Sequence, residues 1–160
     1  QPRSRGLGDV YKRQPDDIRI VTSHDGLDVL CDGPEDGILL VAHGQLCAEA
    51  LAAVDQLDSP VRVVSPRWSL PVCGGLIEEA ARARAVVSVE DGLVVSGLGS
   101  HLADALSQRG MWRPIRSLGI PQRYLDHDSR SAIMAELGLD SRGIADAVSQ
   151  LVAQLDGEYS

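Results

Sequence analysis

The 160-residue chain contains no phenylalanine and a single lysine, and aromatic residues make up only 3% of it. With so few rings, stacking platforms for bases or sugars are scarce, and the core has to be built from Val, Leu, Ile and Ala. Aliphatic, alanine-rich cores of this kind suit helices layered on a sheet. Cysteine is sparse too: Cys31, Cys47 and Cys73 are odd in number and show no CxxC spacing. Neither a disulfide framework nor a zinc site is expected, and a reducing cytoplasm is the natural setting. Positive charge is short, with 15 Lys and Arg against 23 Asp and Glu, a formal charge of −8 and a pI near 4.8. Phosphate backbones and anionic bilayers are gripped by clustered Lys and Arg, so neither nucleic acid nor a membrane is an expected partner. Long apolar runs are absent as well; none approaches the about 18 residues that a membrane-spanning helix needs.

What is present is 44% hydrophobic and 24% charged residues, enough for one folded domain and too apolar for a disordered chain. The opening stretch Gln1–Gln14 stands apart, because it holds Lys12, three arginines and no usable periodicity. It lacks an initiating Met and does not look like a secretory signal. RGLGDVYKRQ resembles a translated adaptor string, so residues 1–14 are expected to be a non-native extension, with a disordered basic arm as the alternative. Without them the remainder is more acidic still, since they carry one acid, Asp9.

From Ile18 a regular pattern begins. IRIVTS and LDVLCDG, joined through His24, Asp25 and Gly26, read as a small hairpin, because Asp-Gly favours the tight turn between strands. ILLVAHG (Ile38–Gly44) is a continuous apolar run, as expected of a strand buried on both faces. Helical spacing follows over Ala48–Leu57, then a strand over Val61–Trp68 stopped by Pro66, and a helix over Leu76–Arg84 after Gly74-Gly75. A third strand (Ala85–Asp91), a glycine turn leading into a helix that ends at Gly110, and a fourth strand (Pro114–Pro121) complete the alternation. Two helices, about Ser129–Leu137 and Ser141–Leu155, close the chain. Alternating strands and helices predict a three-layer α/β/α domain on a mostly parallel open sheet of about five strands.

Candidate sites follow from where chemistry-bearing residues fall. The turn Ser96-Gly97-Leu98-Gly99-Ser100 lies between strand and helix, where free N–H groups and the helix dipole could hold a phosphate. The third glycine of a dinucleotide fingerprint and the lysine of a P-loop are both missing, so capping by Ser100 or Gly99 and close packing is the favoured role. Glu90 and Asp91 end a strand on the side where open sheets gather ligands and interfaces, yet as neighbours they point to opposite faces and make no matched acid–base pair. His24, His43, His101 and His127 are accompanied by no serine or cysteine motif and no metal-ligand spacing. Cys47 and Cys73 read as inert small apolar residues. Pro66-Arg67-Trp68, followed by Leu70-Pro71-Val72, is either a rigid loop or an anchor for an anion or an interface.

Taken in order, ILLVAHG, AEALAAVDQL, VRVVSPRWSLPV, VVSVEDGLVVSGLGS, HLADAL and SLGIPQRYLDHDSRSAIMAELGLDSRGIADAV resemble the C-terminal domain of the 1-deoxy-D-xylulose-5-phosphate synthases, over about Ile38–Leu155. The Pro-Arg-Trp strand exit looks like the actinobacterial branch. The resemblance implies a transketolase-like enzyme in which the first domain holds the diphosphate of thiamine diphosphate and Mg²⁺ and the second supplies the glutamate that activates the aminopyrimidine. There the cofactor adds to pyruvate, CO₂ leaves, and the remaining fragment attacks glyceraldehyde 3-phosphate to feed isoprenoid synthesis. This chain would be the third domain, with residues 15–36 the exit from the second and 37–157 the transketolase C-terminal-like unit. It implies no catalytic, cofactor-binding or metal residue here, and partners limited to the preceding domains and a second subunit of a homodimer. Pro66, Arg67, Glu90, Gly97, Gly99, Ser100 and His127 match the family pattern, with packing and subunit contact as their implied roles. The chain departs from the pattern at Asp91-Gly92, at His43 and at Ser96, which stands where the family often has the first glycine of Gly-Gly-x-Gly-Ser. Two alternatives stay open: the C-terminal domain of a transketolase or 2-oxoacid dehydrogenase β subunit, and a stand-alone phosphate- or nucleotide-binding α/β module. A domain made for packing should also expose an apolar patch, and Leu93, Val94 and Val95 are the candidates.

Overall fold

A computed structural model describes residues 18–123 and 128–157. The extension at residues 1–14 and the candidate His127 lie outside the described residues. The elements are β1 (Thr22–His24), β2 (Leu27–Cys31), β3 (Ile38–Ala42), α1 (Leu46–Val54), β4 (Val61–Pro66), α2 (Gly74–Arg82), β5 (Ala85–Leu93), α3 (Leu98–Ser107), β6 (Ile115–Ile120), α4 (Arg130–Glu136) and α5 (Ser141–Gly157).

One sheet runs in the order β1-β2-β4-β3-β5-β6. Strands β4, β3, β5 and β6 pair in parallel, and the β1–β2 hairpin adds antiparallel to the outside of β4. The expectation of about five strands thus becomes six, because the hairpin joins the sheet through Asp28 opposite Ser65 and Val29 opposite Val64. Its turn is the predicted Asp25-Gly26, with φ of 41° and 78°; both central residues are left-handed, as the twist-matched two-residue hairpin turn requires.

The pleat explains the unbroken apolar runs. Ile38, Leu40 and Ala42 face one way and pack with residues of α1 and α5, while Leu39 and Val41 face the other way and pack with residues of α2 and α3. Ala50 and Ala53 of α1 and Ala80 of α2 are buried and small, which lets the helices lie close to the sheet. The buried core contains no aromatic residue among the described residues. By contrast, α4 buries no residue at all.

One polar cluster interrupts the apolar α2 face. Glu79 of α2 is 1% exposed and takes two bonds from Arg62 of β4, Nε to Oε2 at 2.9 Å and Nη2 to Oε1 at 3.2 Å. Arg62 also pairs with Asp32, while Arg82 and His24 approach Glu79 Oε1 at 3.3 and 3.4 Å. Burial alone would lower the Arg62 pKa; the bonds and charges of Glu79 and Asp32 outweigh it and hold the guanidinium above its ordinary value.

Candidate functional site

In an open α/β sheet the carboxyl ends of the parallel strands are where ligands and interfaces gather. Here that edge carries His43 after β3, Pro66 and Arg67 at the end of β4, Glu90 and Asp91 late in β5, and the glycine turn before α3.

Glu90 turns out of the strand because β5 and β6 slip register: Val89 lies opposite Leu118, yet Leu93 lies opposite Ile120, which leaves extra residues on β5. Its carboxylate reaches the amino end of α3, where Oε2 accepts the Leu98 N–H at 2.9 Å. The residue preceding α3 is Gly97, which has no side chain to cap with, so Glu90 supplies the cap from the neighbouring strand. Ser100, one of the expected caps, instead donates its hydroxyl back to the Val94 carbonyl at 3.3 Å. A Cβ at Gly97 would collide with the Glu90 carboxylate, and one at Gly99 with the hydroxyls of Ser88 and Ser117. Both glycines therefore stand where the start of α3 comes close to the side chains of the sheet.

Asp91, its neighbour, faces the other way and pairs with Arg130 of α4 at 2.5 Å. Arg130 also reaches the Gln45 side chain at 3.3 Å, which ties α4 to the start of α1. Between α1 and α4 lies a cavity of about 480 Å³ bordered by Leu46, Glu49, Met134 and Leu139. A second cavity of about 550 Å³ runs beside the open edge of β6, next to Trp112.

Pro66 is buried, and its carbonyl accepts a hydrogen bond from His43 Nδ1 at 3.0 Å. Arg67 places Nε and Nη2 each 3.0 Å from Asp28 Oδ1 in the hairpin, while its backbone N–H donates to the Gly26 carbonyl at 3.0 Å. Burial pushes the Asp28 carboxyl up, but hydrogen bonds from Ser23 and Arg67 and the Arg67 charge win, and its pKa falls below the usual carboxylate range. Trp68 lies over Gly26 and donates its indole N–H to the Pro71 carbonyl at 2.9 Å. Arg67 is thus engaged by Asp28 through Nε and Nη2. Cys47 is buried and points its thiol at Ser65 Oγ, 3.4 Å away; burial pushes its pKa up, so it is no nucleophile. Cys73 is also buried. His24, His43 and His101 do not come together: they sit in the hairpin, after β3 and in α3.

The edge does not fit the diphosphate and Mg²⁺ that the resemblance implies for the whole enzyme. The α3 terminus already holds a carboxylate that repels a phosphate, and among the described residues no group of three or more His, Cys, Asp or Glu is placed to hold a metal ion. Sequence reasoning missed the Arg62–Glu79 pair and the Asp91–Arg130 tie, which join residues 17 and 39 positions apart. A charge inside a strand, Arg62 in VRVVSP, was the one available signal for the first.

A mostly parallel sheet with helices packed on both faces defines a three-layer α/β domain, in which the Glu90 carboxylate closes the α3 terminus. The family described as transketolase, C-terminal domain, matches residues 27–144, and the chain belongs to it. Among curated proteins it is 43% identical over 141 residues to 1-deoxy-D-xylulose-5-phosphate synthase 2 of Streptomyces avermitilis, covering 84% of this chain and 22% of that protein. It is 40% identical over 146 residues to the 1-deoxy-D-xylulose-5-phosphate synthase of a Mycobacterium species (strain KMS), covering 88% of this chain and 23% of that protein. The chain thus spans less than a quarter of the length of these actinobacterial relatives. Among solved structures, "Split gene transketolase, inactive beta4 tetramer" superposes with a TM-score of 0.67 at 29% identity, over 81% of this chain and 42% of that one. A transketolase from Pichia stipitis, 16% identical, shares the fold with a TM-score of 0.58 over 83% of this chain and 19% of that one.

Proposed function

We propose that the chain is the last of three domains of a thiamine-diphosphate-dependent 1-deoxy-D-xylulose-5-phosphate synthase. The whole enzyme joins pyruvate to glyceraldehyde 3-phosphate with loss of CO₂, in the cytoplasm, as a homodimer. Thiamine diphosphate and Mg²⁺ are held by the preceding domains. Residues 37–157 form the packing unit, residues 15–36 lead into it, and residues 1–14 are no part of the natural protein. The observation that carries this reading is the 43% identity to a named synthase across 84% of the chain. The filled α3 terminus supports the second half of it, that this domain packs and does not catalyse. Among the described residues no helix is long and apolar enough to cross a membrane. Pro66, Arg67, Glu90, Gly97, Gly99 and Ser100 have structural and contact roles, and His127 shares them.

The test has two parts. The purified chain, given pyruvate, glyceraldehyde 3-phosphate, thiamine diphosphate and Mg²⁺, is expected to release no CO₂; turnover by the chain alone would sink the packing role. A hybrid in which residues 18–157 replace the matching region of the Streptomyces avermitilis relative is expected to make deoxyxylulose phosphate. A folded hybrid without that activity would count against the synthase assignment.

A further inference from the structure

The two edges of the sheet are finished differently. One ends in β1, three residues long and half of a hairpin. The other ends in β6, six residues long, which among the described residues pairs with β5 alone. Natural sheets blunt their edges with short strands, Pro, Lys or bulges. β6 reads Ile115-Arg116-Ser117-Leu118-Gly119-Ile120, with neither Pro nor Lys, and the extra residues of the register slip are on β5.

The backbone groups left over on β6 can be named. The Val86 N–H donates to the Pro114 carbonyl at 2.9 Å, and the Val94 N–H to the Ile120 carbonyl at 3.0 Å. In a strand the N–H and C=O of one residue point to the same side, and those of the next residue to the other. The even-numbered residues of β6 therefore bond β5, while Ile115, Ser117 and Gly119 turn their donors and acceptors outward.

Space for another strand lies beside them. The cavity of about 550 Å³ along this edge is bordered by Leu106 of α3, Leu151 of α5, Met111 and Trp112, so it opens between the two helix layers. Trp112 is 77% exposed. No Asp or Glu borders the cavity, although the chain carries 23 of them against 15 Lys and Arg. Two copies of so acidic a chain repel each other least where acids are missing. The two bordering cations are turned onto their own molecule: Arg113 donates to the Ala81 and Ala83 carbonyls at 2.6 and 2.9 Å, and Arg116 to the Ala147 carbonyl at 3.1 Å.

We propose that β6 pairs antiparallel with β6 of a second copy of this chain, about a two-fold axis at Ser117. With Ser117 opposite Ser117, Ile115 falls opposite Gly119 and Gly119 opposite Ile115, so every outward donor meets an outward acceptor. Any other register leaves one of the three facing a residue outside the set. This is the self-complementarity that a two-fold contact requires. It joins the two sheets into one and covers the cavity beside Trp112. The pairing does not depend on the reading of the chain as a synthase domain.

Sedimentation of the 160-residue chain over a dilution series, with amide exchange read residue by residue, tests it. The chain is expected to dimerise, and the Ile115, Ser117 and Gly119 amides to exchange about tenfold or more slowly in the dimer. The Arg116 and Leu118 amides, already bonded to β5, should change less. Ser117→Pro removes the donor on the axis, at an edge position where the outward N–H makes proline tolerable, and is expected to be monomeric. Ser117→Ala keeps that N–H and should dimerise as the parent does. If Ser117→Pro fails to fold, Trp112→Glu takes its place: it sets a carboxylate beside the seam and is expected to weaken the dimer about tenfold or more with an unchanged thermal melt. A chain that stays monomeric to about 1 mM overturns the proposal. So does a dimer whose three outward amides exchange as they do in the monomer, or one that neither variant loosens. None of these results touches the synthase assignment, which the activity of the hybrid decides.

Discussion

The Glu90 carboxylate and the Leu98 amide, 2.9 Å apart, join the end of β5 to the beginning of α3. The other oxygen, Oε1, is buried and has no hydrogen-bond partner among the described residues, held against the Cα of Gly97. Glu90→Ala, which orphans the Leu98 N–H, is expected to cost about 1 to 2 kcal/mol of stability. Gly97→Ala should destabilise too, because its methyl must displace the carboxylate. In a Glu90→Ala background the Gly97→Ala penalty should shrink by half or more. Denaturant titration of the four proteins measures that coupling, and strictly additive effects would disprove the contact.

Gly99 makes the second close approach. An alanine methyl there would press on the Ser88 and Ser117 hydroxyls, which bond each other at 3.2 Å. Ser88 is fully buried, so the overpacking is expected to cost about 1 to 3 kcal/mol. Adding Ser117→Ala to Gly99→Ala should recover part of that loss. A denaturation midpoint no better than that of Gly99→Ala alone would place the strain elsewhere.

Ser96 has φ of 61°, a left-handed conformation that costs a side chain about 1 to 2 kcal/mol. Ser96→Gly is expected to stabilise the chain by about 0.5 to 1 kcal/mol, the relief of strain less the added freedom of the unfolded glycine. Thermal unfolding reads it out as a higher midpoint.

The buried Glu79 carboxylate holds Arg62 at 2.9 Å. Glu79→Ala leaves a 7% exposed guanidinium with only the exposed Asp32 opposite it, and a loss of about 3 to 5 kcal/mol is expected. Replacing both residues, Glu79→Leu with Arg62→Met, should restore most of the stability. A double variant less stable than Glu79→Ala would show the pair to be favourable beyond its own desolvation.

Cys47 gives a dependence on pH. Its pKa is raised by burial, so above the ordinary thiol value of about 8.5 the unfolded chain loses its proton while the folded chain keeps it. Stability is therefore complete below that value and falls as pH rises through the window up to the folded pKa. Cys47→Ala should lack this component, so the difference in unfolding free energy between the two proteins should move in favour of Cys47→Ala from pH 8 to pH 10. Parallel curves would place the thiol in contact with water.

Much of the architecture was legible because period and composition agreed. ILLVAHG reads as a strand buried on both faces and Asp25-Gly26 as a tight turn; Ile38–Ala42 is such a strand, and Asp25-Gly26 is the hairpin turn. That Glu90 and Asp91 would not act as one pair was legible from the pleat, and they reach different partners, Leu98 and Arg130. What could not be read was the source of the cap. Ser100 was the hydroxyl expected to cap, but the oxygen that accepts the Leu98 N–H belongs to Glu90, eight residues earlier in the chain. The buried Arg62 was hidden for the same reason, its partner being 17 residues away on a helix.

By itself, then, the sequence determined the aliphatic three-layer sheet, the hairpin turn and the family to which the chain belongs, since these depend on local period and on motifs in order. Only the tertiary structure decided that the β1–β2 hairpin joins the sheet beside β4, and that Glu90 closes the α3 terminus. It alone decided that Arg62 of β4 meets Glu79 of α2 in the core. Each of those depends on which elements lie side by side, and that order is set by packing between residues far apart in the chain.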